Sequence, residues 1–307
     1  WQEQMSRWED EVRDNQPSWT VLRPTVEEIS TGGQKYLPLG DGSLLAQGFA
    51  PSKHRGEMSA PTDLKNITAF RLELLNDSNL PLKGPGRSVK GTAALTEFEV
   101  EAAPGDDPEK AEAVKIAAAT ADVALAEAPL EAFFDDRSNQ PRVTGPVDFA
   151  IDGNENTAWG IDEGPARRNL ARKAVFVAET PVSHSEGTLL TFYLSQKHGG
   201  RYHRNQNLGR FRLSVTTAPE AKADPLPKRV RDILSTPLSE RTPSQTRLVF
   251  RFWRTTVPEW RRENDEIEAL WRQHPEGSRQ LVLEECGEKR PTHVLNRGDF
   301  LNPAREV

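Results

Sequence analysis

The stretch "ITAFRLELL" (Ile67–Leu75) decides the fold. Within it, Phe70, Leu72 and Leu74 alternate with charged residues, which gives one apolar face and one polar face at the two-residue period of a β-strand. This alternation is typical of an antiparallel strand that is buried on one side and solvated on the other. The stretch "LTEFEVEA", starting at Leu95, repeats the same pattern.

Similar short segments fill two regions, Trp19 to Pro104 and Val147 to Thr217. Turn sequences such as "TGG", "GDG", "NDSN" and "KGPG" separate them, and the 23 Pro and 21 Gly of the 307 residues favour a turn-rich β-protein over a helical bundle. The segment "VKIAAATADV" fits either a helix or a strand, because its alanines favour a helix while its pattern suits a sheet.

The two β regions echo one another. "DGSLLAQG" corresponds to "DGNENTAWG", "TAFRLELL" to "LTFYLSQK", and "LTEFEVEAAP" to "LGRFRLSVTTAP", in the same order and at nearly equal spacing. The echo predicts two related halves, arranged either as two small sandwiches or as one jelly roll. The alternative is that the two regions match only because any two β-sandwich segments share the same alternation of apolar and polar residues.

Helices are predicted at both ends of the chain. Trp1, Met5, Trp8 and Val12 have helical spacing, and "TPSQ" at Thr242 carries the signature of a capping box. The segment "RQLVLEE" predicts a later strand. We therefore expect a mainly β protein, an antiparallel jelly-roll β-sandwich of one or two related units, with these parts: an N-terminal helix (1–16), a first unit (17–104), a second unit (105–218), and a helical segment with the start of a C-terminal domain (219–307).

Composition excludes several classes of function. The net charge of −6 and the short basic runs argue against nucleic acid binding. No apolar run approaches the roughly 20 residues of a membrane span. The single cysteine, Cys286, allows no disulfide within the chain and no CxxCH haem attachment. Because the chain opens on Trp1 and stops without closing structure, we expect it to be a piece of a longer protein.

A loop rich in oxygen-bearing side chains lies in "AIDGNENTAWG" (150–160). Asp152, Asn154 and Thr157 offer the hard oxygen ligands that calcium prefers. Strand-like flanks argue against an EF-hand and favour a site at a corner of the sandwich. The alternative is an Asx-turn, in which Asp152 and Asn154 cap their own backbone.

Several motifs resemble known families. "AIDGNENTAWG", "KAVFVAETPV", "GTLLTFYLSQ" and "LGRFRLSVT" resemble the galactose-binding-like, discoidin-type sandwich, with its A-DGN-x-x-T-x-W opening. "TDLKNITAFRLELLND", "LTEFEVEA" and the tail from "RTPSQTRLVFRFW" to "RPTHVLNRGDFLNP" are similar to planctomycete-type cytochrome c proteins. Those proteins place such a region between two domains of unknown function. Their haem motif does not occur in this segment.

The resemblance implies an extracytoplasmic (periplasmic or secreted) module that binds glycans, within a protein linked to polysaccharide breakdown. In discoidin-type modules the opening loop often holds a structural calcium, and Asp152, Asn154 and Thr157 match that loop. The first repeat, "DGSLLAQG", lacks both the Thr and the Trp, so the implied metal does not extend to it.

The densest candidate for sugar contacts is "SQKHGGRYHRNQNLGR" (195–210). Sugars are held by aromatic faces and planar polar side chains, and loops on a rigid sandwich commonly carry such sites. The alternative is a polar hairpin loop without a ligand. The candidate ligand-binding residues are His198, Arg201, Tyr202, His203 and Asn205, with Arg168 in an adjacent wall.

The predicted function is a non-catalytic carbohydrate-binding-like module of a larger bacterial protein. Its expected partners are a glycan or polysaccharide and the neighbouring domains of the same chain. No GxSxG, P-loop or GxGxxG pattern occurs, and no catalytic residue is assigned. Two alternatives remain: part of a haem-containing oxidoreductase or polysaccharide-degrading enzyme whose catalytic parts lie outside this chain, or a structural spacer.

Overall fold

The computed structural model describes residues 1–14, 17–26, 34–135, 137–165, 167–201, 204–277, 292–299 and 302–307. The chain divides into two compact units, Trp1–Gly277 and Ser278–Val307. The α-helices are α1 (Gln2–Asp14), α2 (Lys228–Leu234), α3 (Pro243–Trp253) and α4 (Arg261–Arg272). The strands are β1 (Thr20–Val21), β2 (Thr25–Val26), β3 (Gln34–Pro38), β4 (Leu44–Gly48), β5 (His54–Thr62), β6 (Ile67–Leu75), β7 (Ala94–Leu95), β8 (Glu97–Pro104), β9 (Glu112–Ala113), β10 (Ile116–Ala121), β11 (Ala128–Pro129), β12 (Val143–Gly145), β13 (Thr157–Gly160), β14 (Arg172–Val182), β15 (Thr188–Gln196), β16 (Arg210–Thr216), β17 (His293–Leu295) and β18 (Pro303–Glu306).

The first unit is an antiparallel jelly-roll β-sandwich, as the alternation predicted. Its first sheet has the strand order β10-β14-β6-β16-β4-β3, with β1 beside β16, and its second sheet has the order β2-β5-β15-β8-β9. A small sheet, β11-β12-β13-β7, lies beside them. The segment that fitted either a helix or a strand is β10, at an edge of the first sheet.

The two echoing halves exchange their central strands. In the first sheet, β6 from the first half pairs with β14 and β16 from the second. In the second sheet, β15 from the second half pairs with β5 and β8 from the first. The segments 17–104 and 105–218 therefore do not form separate packing units. Strand β6 of the first segment lies between β14 and β16 of the second, and β15 of the second segment lies between β5 and β8 of the first.

Aromatic rings from both sheets fill the core. Phe70 and Phe192 are fully buried, and Phe98 and Phe211 are almost so, as the sequence predicts. Phe98 stacks on Phe176 across the sandwich with ring centroids 3.8 Å apart. Burying each such side chain contributes roughly 1.5–3 kcal/mol, so this cluster is a principal source of stability.

A second apolar cluster joins the N-terminal helix to the helical segment. Met5 of α1 packs with Val230 and Ile233 of α2 and with Trp253 of α3. The predicted capping box is present, since the Thr242 backbone N–H donates to Gln245 Oε1 at 2.7 Å and the Gln245 N–H donates to Thr242 Oγ1 at 3.3 Å.

The segment predicted as 219–307 is thus divided. Its helices belong to the first compact unit, whereas the second unit contains the hairpin of β17 and β18. The strand predicted for "RQLVLEE" lies outside the described residues. None of the helices in the described ranges is long and apolar enough to cross a membrane.

Candidate ligand-binding end of the sandwich

One end of the sandwich carries one short and two long connections. Residues 49–53 join β4 to β5, residues 76–93 join β6 to β7, and residues 197–209 join β15 to β16. The pairing of Arg210 with Leu75 places the last two of these connections side by side. We call the three connections together the loop end. Long loops on a rigid sandwich are common ligand sites.

The predicted calcium loop lies at the loop end. Lys197 Nζ is 3.9 Å from Glu155 Oε1, and His198 Nε2 is 2.9 Å from the carbonyl oxygen of Val143. Val143 N–H in turn donates to the carbonyl oxygen of Asn156 at 3.0 Å. The two predicted sites, for calcium and for a sugar, are therefore neighbours.

The Asp152 loop forms two successive Asx-turns. The Asn154 N–H donates to Asp152 Oδ1 at 2.9 Å, and the Asn156 N–H donates to Asn154 Oδ1 at 3.1 Å. Thr157 Oγ1 lies 2.8 Å from Asp152 Oδ2 and 2.7 Å from the carbonyl oxygen of Asn154. The loop therefore has the Asx-turn conformation of the alternative, in which Asp152 and Asn154 cap their own backbone. The same conformation brings oxygens of Asp152 and Asn154 close to the Thr157 hydroxyl.

Glu97, at the start of β8, faces the same loop. Burial raises the pKa of Glu97 to about 7, the negative charges of Asp152 and Glu99 add to the rise, and the backbone N–H groups of Asn154 and Gly153 oppose it. Its Oε1 atom is buried and has no hydrogen-bond partner among the described residues. No sequence signal marks this role, because Glu97 occupies an ordinary outward position of an alternating strand.

These oxygens fit a hard cation. Asp152 and Glu97 supply two carboxylates, while Asn154 and Thr157 supply a carbonyl and a hydroxyl, and calcium prefers such a mixture. A buried carboxylate oxygen without a donor is the atom that a cation would satisfy. The described residues contain no group of three or more His, Cys, Asp or Glu side chains suited to a metal, so neutral oxygens would have to complete the shell.

The predicted sugar-binding loop is largely buried. His198 and Asn205 are 1% and 7% exposed, and Asn205 Oδ1 accepts a hydrogen bond from the Asn207 N–H at 3.1 Å. A Cβ on Gly199 would lie 1.6 Å from the carbonyl oxygen of Ser52, so only glycine permits this close packing of two connections. His198 and Asn205 therefore hold the loop in place and do not face solvent.

The remaining predicted sugar ligands have different surroundings. Arg168 is 4% exposed, and it donates through Nε to Asp162 at 3.0 Å and through NH1 to Glu276. Arg168 is therefore a buried ion-pair residue. Arg201 is exposed. Tyr202 and His203 lie outside the described residues.

A buried polar network supports the loop end, and the sequence did not reveal it. Tyr36 Oη lies 2.9 Å from His54 Nε2 and accepts a hydrogen bond from Gln34 Nε2 at 2.6 Å. Arg87 NH1 donates to Gln34 Oε1 at 2.9 Å. Asn207 Nδ2 donates to the carbonyl oxygen of Pro51 at 2.8 Å, which ties this region to the 49–53 connection.

Two titratable groups of this network, His54 and Tyr36, are neutral near pH 7. Burial, with the positive charges of Arg87 and Lys197, lowers the pKa of His54 to about 4. Burial also raises the pKa of Tyr36 to about 12. Neither group has a pKa suited to proton transfer at neutral pH, so we assign the network a supporting role.

An aromatic ring on the β11–β12 connection contacts the loop end through Arg204 and faces solvent. Phe133 is 38% exposed, and the Arg204 guanidinium carbon lies 4.5 Å from its ring centroid. Arg204 NH1 also donates to the Phe133 carbonyl oxygen at 3.2 Å, while the adjacent Phe134 is 2% exposed and anchors the segment. The sequence pattern "FFDDRSNQPRVTGP" indicated only a turn. Phe49, on the 49–53 connection, is 45% exposed.

Comparison with protein-family models, with curated proteins and with solved structures finds no match to this chain.

Proposed function

We propose that this chain is a non-catalytic glycan-binding module and that the sugar binds at the loop end. The observation that carries the proposal is the exposed Phe133 ring with the Arg204 guanidinium over it. An aromatic face stacks against the apolar face of a sugar ring, and guanidinium N–H groups donate to its hydroxyls. Arg201, exposed on the same connection as Arg204, supplies a second planar donor.

Preorganisation supports the same proposal. His198, Asn205 and the network around Gln34 and Tyr36 fix the connections that carry Arg201 and Arg204. A rigid site loses less conformational entropy when it binds, so a larger part of the free energy of the weak sugar contacts contributes to affinity. His198 and Asn205 thus become positioning residues in the proposal, although the sequence suggested direct contact.

A structural calcium belongs to the proposal. Asp152, Asn154, Thr157 and Glu97 would hold it, and the cation would neutralise the two carboxylates. Because Asp152 lies before β13 and Glu97 begins β8, the cation would tie the small sheet to the second sheet next to the glycan loop. The calcium would therefore stabilise the site and would take no part in a reaction.

The remaining parts of the proposal depend on the resemblance described above. These are the extracytoplasmic location, the relation to planctomycete-type cytochrome c proteins, and the link to polysaccharide breakdown. The neighbouring domains of a longer chain are the other proposed partners.

A polysaccharide pull-down with and without a chelator tests the proposal. We expect retention on at least one insoluble polysaccharide, weakened about tenfold or more by Phe133→Ala and by Arg201→Ala, and weakened by the chelator. Leu238→Ala and Arg262→Ala are matched controls, since Leu238 is 59% exposed and the Arg262 side chain is 84% exposed, both on the helical segment.

Each outcome of this experiment is decisive. Retention that both loop-end variants leave unchanged would remove the loop end as the site. No retention on any polysaccharide would overturn glycan binding. Turnover of a retained polysaccharide by this chain alone would favour the enzyme alternative.

A further inference from the structure

The outer face of the first sheet is charged and yet covered. Arg71 and Glu73 of β6 point away from the core, because the alternating residues Phe70 and Leu72 lie inside it. Their neighbour Lys173 is 7% exposed, and its Nζ donates to the carbonyl oxygen of Leu226, just before α2, at 2.7 Å. Charged side chains are rarely buried without compensation, so this face needs an explanation.

A small cavity lies where α2 meets this face. Its volume is about 20 Å³, enough for one water-sized or halide-sized occupant. It is lined by Arg71, Glu73, Leu75, Asp122, Ala171, Arg172, Lys173, Lys228 and Arg231. Five of these nine side chains are cationic and two are carboxylates.

Two of the nearby carboxylates are shared between cations, whereas Glu163 pairs with Arg172 and Asp232 with Lys228. Glu73 lies 2.8 Å from Arg212 Nε and 3.3 Å from Arg71 NH2. Asp224 pairs with both Lys173 and Arg231. One carboxylate that serves two cations compensates each of them incompletely.

Two of the three arginines that line the cavity, Arg71 and Arg172, keep an unused donor. The Nε atoms of Arg71 and Arg172 are buried, and neither has a hydrogen-bond acceptor among the described residues. The Arg172 NH2 group donates to Glu163 and to the carbonyl oxygen of Arg167. A buried donor without an acceptor costs about 1–3 kcal/mol, and more for a charged group.

The electrostatics of the cavity agree with this geometry. Burial, together with the positive charges of Arg212 and Arg231, lowers the pKa of Arg71 to about 10, although Glu73 and Asp224 oppose the shift. Burial also lowers the pKa of Lys173, although Asp224 opposes that shift. An anion beside them would favour the charged forms of Arg71 and Lys173, while burial in the same cavity raises the pKa of Asp122.

We propose that this cavity binds one small inorganic anion of the size of chloride. The anion accepts hydrogen bonds from the arginine donors and compensates the cations where α2 meets the first sheet. It acts as a structural ion that joins the helical segment to the sandwich. This inference is independent of the glycan proposal.

Bromide replaces chloride and can be located by its anomalous scattering. We expect a bromide-soaked crystal of the full chain to show an anomalous peak between Arg172 and Lys228. In solution, the ³⁵Cl NMR line width should show saturable binding, with a Kd below about 0.15 M, the physiological ionic strength. A water alone in the cavity, or no saturable broadening in that range, would overturn the proposal.

Two variants localise the effect. Lys228→Gln changes a side chain at the rim that is 44% exposed, so the fold should persist, and we expect chloride affinity to fall at least threefold. Arg172→Gln should abolish binding if it folds. Lys115→Gln is the matched control, because its side chain is 83% exposed and does not line the cavity. Equal affinity in Lys228→Gln and Lys115→Gln would contradict the assignment.

Discussion

The outer faces of the two sheets carry similar charged residues in opposite surroundings. On the first sheet, Glu73 and Lys173 lie beneath the segment that leads into α2. On the second sheet, the side chains of Arg55 and Glu99 are 43% and 52% exposed, although they too form an ion pair, at 3.2 Å. The same alternating pattern thus produces a covered ionic network on one side and a solvated surface on the other.

This difference should govern how much each ion pair contributes. Water and salt screen the exposed pair on the second sheet, and such pairs are worth about 0–1 kcal/mol. Breaking a buried pair costs about 3–5 kcal/mol, because the remaining charge is left without compensation.

The largest effect is expected on the covered face. Glu73→Ala leaves Arg71 and Arg212 without their shared carboxylate and should lower the free energy of unfolding by about 3 kcal/mol. Urea denaturation at pH 7 measures it. A loss below about 1 kcal/mol would mean that water reaches this face and that the two sheets do not differ.

An intermediate effect is expected at Glu97, which lies at one end of the second sheet and is partly buried. Its pKa of about 7 in the folded protein is above its ordinary value of 4.5. The folded state therefore holds the proton more tightly, and ionisation of Glu97 destabilises the fold as the pH rises from about 4.5, fully so above pH 7.

Glu97→Gln removes this ionisation. The variant should gain stability relative to the native chain between about pH 4.5 and pH 8, by about 1 kcal/mol, since partial exposure reduces the full linkage effect. Urea denaturation at both pH values, with a chelator present, measures the gain. An equal difference at the two pH values would show that Glu97 is an ordinary surface carboxylate.

The smallest effect is expected on the open face. Glu99→Ala breaks the exposed pair with Arg55 and should change the free energy of unfolding by less than about 0.5 kcal/mol. The same urea titration at pH 7 provides the measurement. A loss above about 1.5 kcal/mol would mean that the ion pair on the second sheet contributes as much as a buried pair, and the contrast between the two sheets would fail.

The sequence predicts the strands and the core but not the covered face. "FRLEL" and "FEVEA" have the same pattern, so both should have an apolar side and a solvated side, and Phe70 and Phe98 are indeed buried. The cover over Arg71 comes from the Trp19 ring, whose centroid lies 4.6 Å from the guanidinium carbon, and from residues of α2, all of them distant in the sequence. No local pattern records such a contact.

The candidate site shows the same limit. The sequence identified the Asp152 loop and the connection at 197–209, and both lie at the loop end. Burial of His198 depends on Gly199 packing against Ser52, and the position of Glu97 depends on how β8 meets the Asp152 loop. The solvent-facing Phe133 lies in a stretch whose composition indicates only a turn.

The exchange of central strands between the halves has a consequence for synthesis. When β6 leaves the ribosome, both of its neighbours, β14 and β16, are still untranslated. Pairing over such long sequence separations slows folding, and the waiting strand edges are open to aggregation. We therefore expect a nascent chain that stalls before β14 to leave the Phe70 ring without its native partner on that strand, Phe176.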